Sequence, residues 1–231
     1  MEKKVKSQLI VIDGSDGSGK KTQVALLRER LLKSGKNVRS MAFPQYSSFF
    51  GELVSNYLLG AFGTISSINP RMVSLLYALD RYGAKDELNG WLDEGNIVVL
   101  DRYVESNMAY QSAKLEKHKW DSFIQWIEEL EFSQLKVPKA DLVIYLHVPV
   151  RISQQLIDGR PDKEYLDGKK KDIHEQDTSY LKKVEEAYLW LAGKRGWHTV
   201  SCVRDGAIMP KEEISALVWE IVRKHLEGVL E

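Results

Sequence analysis

The chain has 231 residues, of which 43% are hydrophobic and 29% charged, so it can bury a substantial core and is not a disordered protein. Its 33 Lys and Arg residues balance its 33 Asp and Glu residues, which gives no global positive charge to attract nucleic acid or an anionic membrane. The single cysteine, Cys202, excludes an intrachain disulfide, and no apolar run is long enough for a signal peptide or a membrane span, so we expect one soluble cytoplasmic domain over residues 1–231.

Short, continuous runs rich in β-branched residues alternate with helical stretches along the chain. The runs predict five strands buried on both faces of a parallel sheet, at Leu9–Asp13, Val38–Phe43, Ile97–Asp101, Leu142–Val148 and Thr199–Val203. The intervening stretches predict helices at Gly19–Lys33, Phe50–Leu59, Pro70–Glu94, Trp120–Leu130, Tyr180–Ala192 and Lys211–Leu226. This alternation predicts an α/β fold in which helices cover both faces of an open parallel sheet.

The first strand leads into GSDGSGKKT, residues 14–22, which contains the G-x-x-x-x-G-K pattern of a phosphate-binding loop. A Gly-rich loop between a strand and a helix presents backbone N–H groups and the positive end of the helix dipole to phosphate. We expect Lys20 to reach the terminal phosphate oxygens. The predicted ATP contacts are Gly14, Ser15, Asp16, Gly17, Ser18, Gly19, Lys20, Lys21 and Thr22.

One position departs from this pattern, because Lys21 stands where a Ser or Thr hydroxyl normally binds magnesium. The next residue, Thr22, projects about 100° further around a helix and does not replace that hydroxyl. Magnesium usually keeps several waters and needs only one or two carboxylates in addition to phosphate oxygens. We therefore predict a working site in which Asp101, with Asp13 nearby, holds Mg²⁺ and the Lys21 ammonium offsets phosphate charge.

A second polar constellation, DRYVESNMAYQ at residues 101–111, begins at the end of the third predicted strand. Asp101 is placed to hold magnesium directly or through water, and Arg102 offers a two-pronged donor to a second phosphate. Taken alone, this pair would be a salt bridge at a strand end. The phosphate loop upstream favours an active site, since ligands of open α/β sheets bind beyond the carboxyl ends of the strands.

The phosphate loop and four later motifs resemble the thymidylate kinase family, over about Leu9 to Leu191. The motifs are FPQY (43–46), LLYALDR (75–81), DRYVESNMAYQ (101–111) and PKADLVIYL (138–146). The resemblance implies a three-layer P-loop NTPase fold that transfers the γ-phosphate of ATP to dTMP, with Mg²⁺ as cofactor, giving dTDP and ADP. It also implies a homodimer packed through helices such as Pro70–Glu94.

The resemblance assigns roles to side chains around dTMP. Arg102 and Tyr46 would hold the phosphate, and Asp16 would contact the 3′-hydroxyl or a nearby phosphate. Taken alone, a tyrosine in these stretches would be a core aromatic and the asparagine a helix cap. The remaining roles are Tyr77 stacking on thymine, Arg81 and Asn107 reading the base edge, Ser106 and Gln111 adjoining them, Phe43 and Pro44 lining the base pocket, and Tyr110 blocking a 2′-hydroxyl.

A polar, Lys-rich segment, Asp158–Asp177, separates the fourth strand from the next helix. Composition alone makes it a solvated loop. In one group of thymidylate kinases a catalytic arginine follows the loop aspartate, where this chain has Gly17, and another group supplies the charge from a lid. The segment resembles that lid, although Leu156 stands where lid-charged relatives often have a further arginine. The predicted lid spans about 157–177, with Arg160 as its catalytic cation and Lys163, Lys169, Lys170, Lys171, Asp172 and Glu175 as further members.

Three other functions are weighed against this one. Another nucleoside monophosphate or deoxynucleoside kinase would share the loop and the acid that ends the strand. A GTPase switch is disfavoured, because Asp101 is followed by Arg-Tyr-Val rather than by D-x-x-G. A catalytically inactive nucleotide-binding protein is suggested only by Lys21. Turnover of ATP with dTMP would exclude this function.

Overall fold

A computed structural model describes residues 7–159 and 171–229. Five strands form one parallel sheet in the order β2-β3-β1-β4-β5, which confirms the predicted sheet with ends shifted by no more than two residues. The strands are β1 (Gln8–Asp13), β2 (Val38–Ala42), β3 (Ile97–Asp101), β4 (Leu142–His147) and β5 (His198–Ser201).

Helices connect the strands and cover the sheet. They are α1 (Lys20–Lys33), α2 (Phe49–Leu58), α3 (Pro70–Gly83), α4 (Lys85–Asp93), α5 (Val104–Ser112), α6 (Trp120–Glu128), α7 (Val150–Asp158), α8 (Thr178–Arg195) and α9 (Lys211–Val229). The predicted helix Pro70–Glu94 is two helices, because the chain leaves helical geometry at Ala84, with φ −97° and ψ 0°. Among the described residues, no helix is long and apolar enough to cross a membrane.

The two faces of β1 show how the layers are built. All six of its residues are buried. Leu9 and Val11 pack in the cluster that contains residues of α5, α6 and α8, while Ile10 and Ile12 pack against α1 and α9. Because side chains alternate across a strand, each face of the sheet carries its own apolar core.

After β5 the chain forms a small antiparallel hairpin, β6 (Val203–Arg204) and β7 (Ala207–Ile208). Its turn residues, Asp205 and Gly206, have φ of +52° and +77°, as expected for an Asp-Gly turn between short strands. Val203, predicted to end the fifth strand, belongs to this hairpin instead.

The order of the strands sets the position of the site. The central strand β1 pairs with β3 on one side and with β4 on the other. Ile12 is paired with Asp101, so the loops that leave β1 and β3 emerge side by side at the carboxyl edge of the sheet. Open α/β sheets bind ligands in the crevice formed at this point.

Candidate active site

The phosphate loop fits closely against the segment that follows β4. A Cβ atom added to Gly14 would lie 2.7 Å from the carbonyl oxygen of Leu146, and one added to Gly17 would lie 2.7 Å from that of Ser153. Gly14, Gly17 and Gly19 also have positive φ, a conformation that glycine adopts without strain. Gly19 makes no side-chain cap, so the first N–H groups of α1 are left to bind an anion.

Lys20 lies within this loop, 7% exposed. Its Nζ donates to the carbonyl oxygen of Ser15 at 2.7 Å and to Ser18 Oγ at 3.4 Å. Burial, followed by the nearby Arg102 guanidinium, lowers the pKa of Lys20 to about 8. The loop therefore holds a desolvated ammonium group that a phosphate anion would stabilise.

Arg102 joins the phosphate loop to the neighbouring cleft. Its Nη2 lies 3.1 Å from Asp16 Oδ2, and its Nη1 donates to the carbonyl oxygen of Gly14 at 3.0 Å and to Ser106 Oγ at 3.1 Å. Its backbone has φ of +66°, which is strained for a residue other than glycine and costs about 1–3 kcal/mol. Strain of this kind is concentrated at functional sites, where the surrounding contacts hold it in place.

Asp13 and Asp101 are the candidate metal ligands. Asp13 is fully buried, and its Oδ1 accepts from Gly14 N at 2.7 Å, Ser106 Oγ at 2.7 Å and Tyr188 OH at 2.8 Å. Its Oδ2 is buried and has no hydrogen-bond partner within residues 7–159 and 171–229. Burial raises the pKa of Asp101, which a nearby cation would reverse. The described residues contain no group of three or more His, Cys, Asp or Glu side chains placed to hold a metal.

A cleft with about 420 Å³ of empty space, partly open to solvent, lies beside Arg102. At its inner end Asn107 Oδ1 and both amide atoms of Gln111 are buried without a hydrogen-bond partner in the part of the chain that the structure describes. Buried polar atoms normally find partners, so these atoms indicate a ligand with its own donors and acceptors. The cleft is lined by Asp16, Pro44, Tyr46, Leu58, Tyr77, Arg102, Ser106, Asn107, Tyr110, Gln111, Asp172 and His174.

Tyr110 forms the wall between the cleft and the phosphate loop. Its hydroxyl donates to Asp16 Oδ2 at 3.0 Å, and the Arg102 guanidinium lies 5.4 Å from its ring centroid. Its ring stacks on that of His174 with centroids 5.3 Å apart. These contacts immobilise the ring beside the carboxylate that is predicted to meet the sugar.

Comparison with known proteins assigns the family. The family model for thymidylate kinase matches residues 12–205. The thymidylate kinase of Mycobacterium tuberculosis (strain H37Rv) is 33% identical over 190 residues, which cover 82% of this chain and 87% of the relative. A probable thymidylate kinase of Pyrobaculum aerophilum is 31% identical over 219 residues, which cover 93% and 96%. The chain belongs to the thymidylate kinase family.

The enzyme is therefore a nucleoside monophosphate kinase that phosphorylates dTMP. Its fold matches that of thymidylate kinase from Candida albicans with a TM-score of 0.71 and 22% identity, over 98% of this chain and 94% of that one. This match confirms the predicted three-layer P-loop fold.

Arg81 differs from its predicted position. Tyr77 and Arg81 are four residues apart on α3. Tyr77 lines the cleft, whereas Arg81 is 2% exposed and is absent from the cleft wall. The Arg81 guanidinium instead forms an ion pair with the buried carboxylate of Glu131 and donates weakly to the carbonyl oxygen of Tyr103. A buried charge needs a buried counter-charge, and this requirement outweighs the helical spacing that predicts a shared face.

Phe43 also lies away from the cleft surface. It is 5% exposed and packs in the core with its ring centroid 5.7 Å from that of Tyr103, while the next residue, Pro44, lines the cleft. Phe43 N donates to the carbonyl oxygen of Asp101, so the backbone still runs alongside β3 at this point. The aromatic side chain therefore supports the cleft from behind.

The lid residues Arg160, Lys163, Lys169 and Lys170 lie outside the described residues. Of the remaining lid residues, Lys171 contacts α7: its Nζ forms an ion pair with Asp158 Oδ1 at 2.8 Å and donates to Gln154 Oε1 at 2.9 Å. Asp172 lines the cleft, and its Oδ1 accepts from the backbone N of both His174 and Glu175 at 2.9 Å. Glu175 is 1% exposed and does not line the cleft.

Sequence reasoning missed a chain of hydrogen bonds that runs from His174 in the cleft wall to Lys114. Lys114 Nζ donates to Tyr57 OH at 2.8 Å, and this hydroxyl is in turn 2.8 Å from His174 Nε2. Burial lowers the pKa of Lys114 to about 7. The lid motif DIHE contains His174, but only its acidic residues had a predicted role.

Lys21, which departs from the loop pattern, is exposed on the first turn of α1, and so is Thr22. Within the described ranges Lys21 takes part in no hydrogen bond or ion pair.

Proposed function

We propose that dTMP binds in the cleft with its phosphate at Arg102 and Tyr46, while ATP binds in the phosphate loop and gives up its γ-phosphate, yielding dTDP and ADP. The observation that carries this proposal is the position of Arg102, which contacts Gly14 and Asp16 of the loop and also lines the cleft. A phosphate bound there would lie next to the nucleotide in the loop. Holding two reactants in this way supplies much of the rate enhancement in phosphoryl transfer.

Within the cleft we assign the base to the end that contains Tyr77, Asn107 and Gln111, and the sugar to the end that contains Asp16 and Tyr110. Asn107 and Gln111 hold the unpaired polar atoms, which a pyrimidine edge would satisfy. The immobilised Tyr110 ring leaves a 2′-hydroxyl without space or a partner, which favours deoxyribose.

Mg²⁺ is the proposed cofactor, held by Asp13 and Asp101. The unpaired Asp13 Oδ2 fits this role, since magnesium prefers carboxylate oxygen and takes only one or two such ligands beside phosphates and water. When bound, the ion neutralises charge that develops on the phosphate oxygens. We propose that Lys21 offsets phosphate charge in place of a hydroxyl ligand.

The remaining charge on the transferring phosphoryl group is assigned to Arg160. An arginine at position 17 has no room, because a Cβ there would meet Ser153 O at 2.7 Å and Ile157 at 3.1 Å. A well-placed arginine accelerates phosphoryl transfer by about 10³–10⁵-fold, too large a contribution to be left unfilled. Arg160→Ala should lower kcat at least about 10²-fold with little change in dTMP binding. A kcat near that of the wild type would indicate that Lys169, Lys170 and Lys171 supply this charge instead.

We further propose a homodimer in the cytoplasm. Phe49 at the start of α2 is 75% exposed, and Met72 on α3 is 58% exposed. Large exposed apolar side chains on adjacent helices are typical of an interface. Sedimentation velocity should give a dimer for the wild-type protein and a smaller species for Met72→Glu, whereas a wild-type monomer would contradict the proposal.

Substitution of Arg102 tests the site directly. Arg102→Met should raise the KM for dTMP and lower kcat together, because one guanidinium group contacts both halves of the site. Arg28→Met, at an exposed position of α1, is the matched control and should leave both constants unchanged. If Arg102→Met is as active as the control, the two phosphates do not meet at Arg102 and the proposed site is wrong.

A further inference from the structure

Glu131 is a completely buried carboxylate behind the base end of the cleft. It lies in a π-helical turn, Glu129–Gln134, that continues directly from α6. Such turns are rare overall but occur often at functional sites. The extra residue in the turn redirects one side chain. Here the redirected carboxylate binds Arg81 through two donors, Nε at 3.0 Å and Nη2 in a closer contact.

The same carboxylate contacts a residue of the cleft wall. Asn107 Nδ2 is 3.2 Å from the carbonyl oxygen of Ser74 and 3.4 Å from Glu131 Oε1. Turning the amide over would place Asn107 Oδ1 against two acceptors, so Glu131 and Ser74 together fix its orientation. Asn107 Oδ1 is then the amide atom left without a partner among residues 7–159 and 171–229.

Gln111, the neighbouring amide, is not fixed in this way. Its Nε2 and Oε1 are both buried and unpaired in the part of the chain that the structure describes. An amide free at both ends offers a donor or an acceptor to the ligand by rotating, so it does not distinguish one pyrimidine from another. Of these two amides, only the fixed one, Asn107, can distinguish one pyrimidine from another.

We propose that Glu131 is a positioning residue for base selection, acting through Asn107. This inference rests on the binding of the base proposed above. Asn107 Oδ1, held as an acceptor, matches the N3–H donor of thymine. Cytosine presents an N3 lone pair instead, and two facing acceptors leave a buried polar group unpaired, which strongly disfavours binding.

Glu131→Gln tests the proposal with the smallest change in shape. The single amide oxygen of the new glutamine would accept from Arg81, so the NH₂ group of the glutamine would face Asn107. The glutamine would then no longer hold Asn107 Oδ1 toward the base. We expect the ratio of kcat/KM for dTMP to that for dCMP to fall at least about tenfold, the equivalent of one hydrogen bond. The change should appear mainly as a higher KM for dTMP, since the base is remote from the transferring phosphoryl group.

Glu129→Gln is the matched control, because the described partners of this acid, Gln134 and Ser133, both belong to the same π-helical turn and not to the cleft. It should keep the wild-type ratio. Since an unpaired Arg81 destabilises the core, a second variant, Glu131→Leu with Arg81→Met, removes both charges together. It is compared with Arg81→Met alone, and the double variant should show the lower ratio of the two.

A purely structural role for Glu131 predicts a different result. It would lower the melting temperature but leave the dTMP to dCMP ratio unchanged, and this outcome in either variant would overturn the proposal. Failure of both variants to fold would also overturn it in favour of a structural role. A wild-type enzyme that does not prefer dTMP over dCMP would instead contradict the proposed base site itself.

Discussion

Lys20 should make the use of ATP depend on pH above neutrality. Its ammonium is buried in the phosphate loop, and its pKa is lowered to about 8. About half of the free enzyme would then carry the charge at pH 8 and about one tenth at pH 9. Because kcat/KM reports ionisations of the free enzyme, kcat/KM for ATP should fall about tenfold between its plateau and pH 9.

The assay is a set of initial rates between pH 6.5 and 9.5, with ATP varied at low dTMP to give kcat/KM for ATP and at saturating dTMP to give kcat. The limiting rate kcat should stay nearly constant over this range, because the bound phosphate restores charge to Lys20 and raises its pKa. Lys20→Ala should lower kcat at least about 10²-fold, or about 2.7 kcal/mol, and its residual activity should lack the decline above pH 8.

Lys114 supplies the control for this assignment. Its pKa is lowered to about 7, but it contacts Tyr57 rather than the phosphate loop. Lys114→Met should therefore keep the decline centred near pH 8. A wild-type kcat/KM that stays level to pH 9.5, or the same decline in Lys20→Ala, would refute the reasoning.

Three further predictions concern single residues. Lys21→Ser should stay active and saturate at lower Mg²⁺, since it restores a hydroxyl ligand; a folded but inactive variant would show that the lysine is catalytic. Tyr110→Ala should narrow the ratio of kcat/KM between dTMP and its ribose analogue, and an unchanged ratio would remove Tyr110 from sugar selection. Burial raises the pKa of Glu105 from 4.5 to about 8, so the folded protein keeps a proton that the unfolded chain releases, and stability should fall as pH rises between these values. Glu105→Gln should remove this slope, worth up to about 5 kcal/mol, in urea denaturation at several pH values; an equal slope in both proteins would contradict the assignment.

The strands β1, β3 and β4 were readable from the sequence because strands buried on both faces form continuous apolar runs. The prediction of burial on both faces was wrong for β2 and β5, which lie at the edges of the sheet and are mostly exposed. Helix α5 was not readable, because eight of its nine residues, polar ones such as Asn107 and Gln111 among them, are buried. An element surrounded by protein and ligand has no solvent face, so its sequence shows no helical period. Helix α7 was also missed, although its burial follows one face.

The candidate site shows the same limit. Residues joined by a local motif, such as Lys20 in its loop or Arg102 at a strand end, lie at the site as their motifs indicate. Partners far apart in sequence were not visible, because Glu131 meets Arg81 across 50 residues and His174 meets Tyr57 across 117. Helical spacing gives the direction in which a side chain leaves the helix. For a long charged side chain such as that of Arg81, the need for a buried counter-charge decides where the charged group lies.

The most direct test of the central claim is coupled ADP release with ATP and Mg²⁺ against a panel of dTMP, dUMP, dCMP, dGMP and the ribose analogue of dTMP. We predict the highest kcat/KM with dTMP and loss of turnover when Mg²⁺ is chelated. ADP release with dTMP that does not exceed the rate without an acceptor, while another monophosphate turns over, would contradict the account.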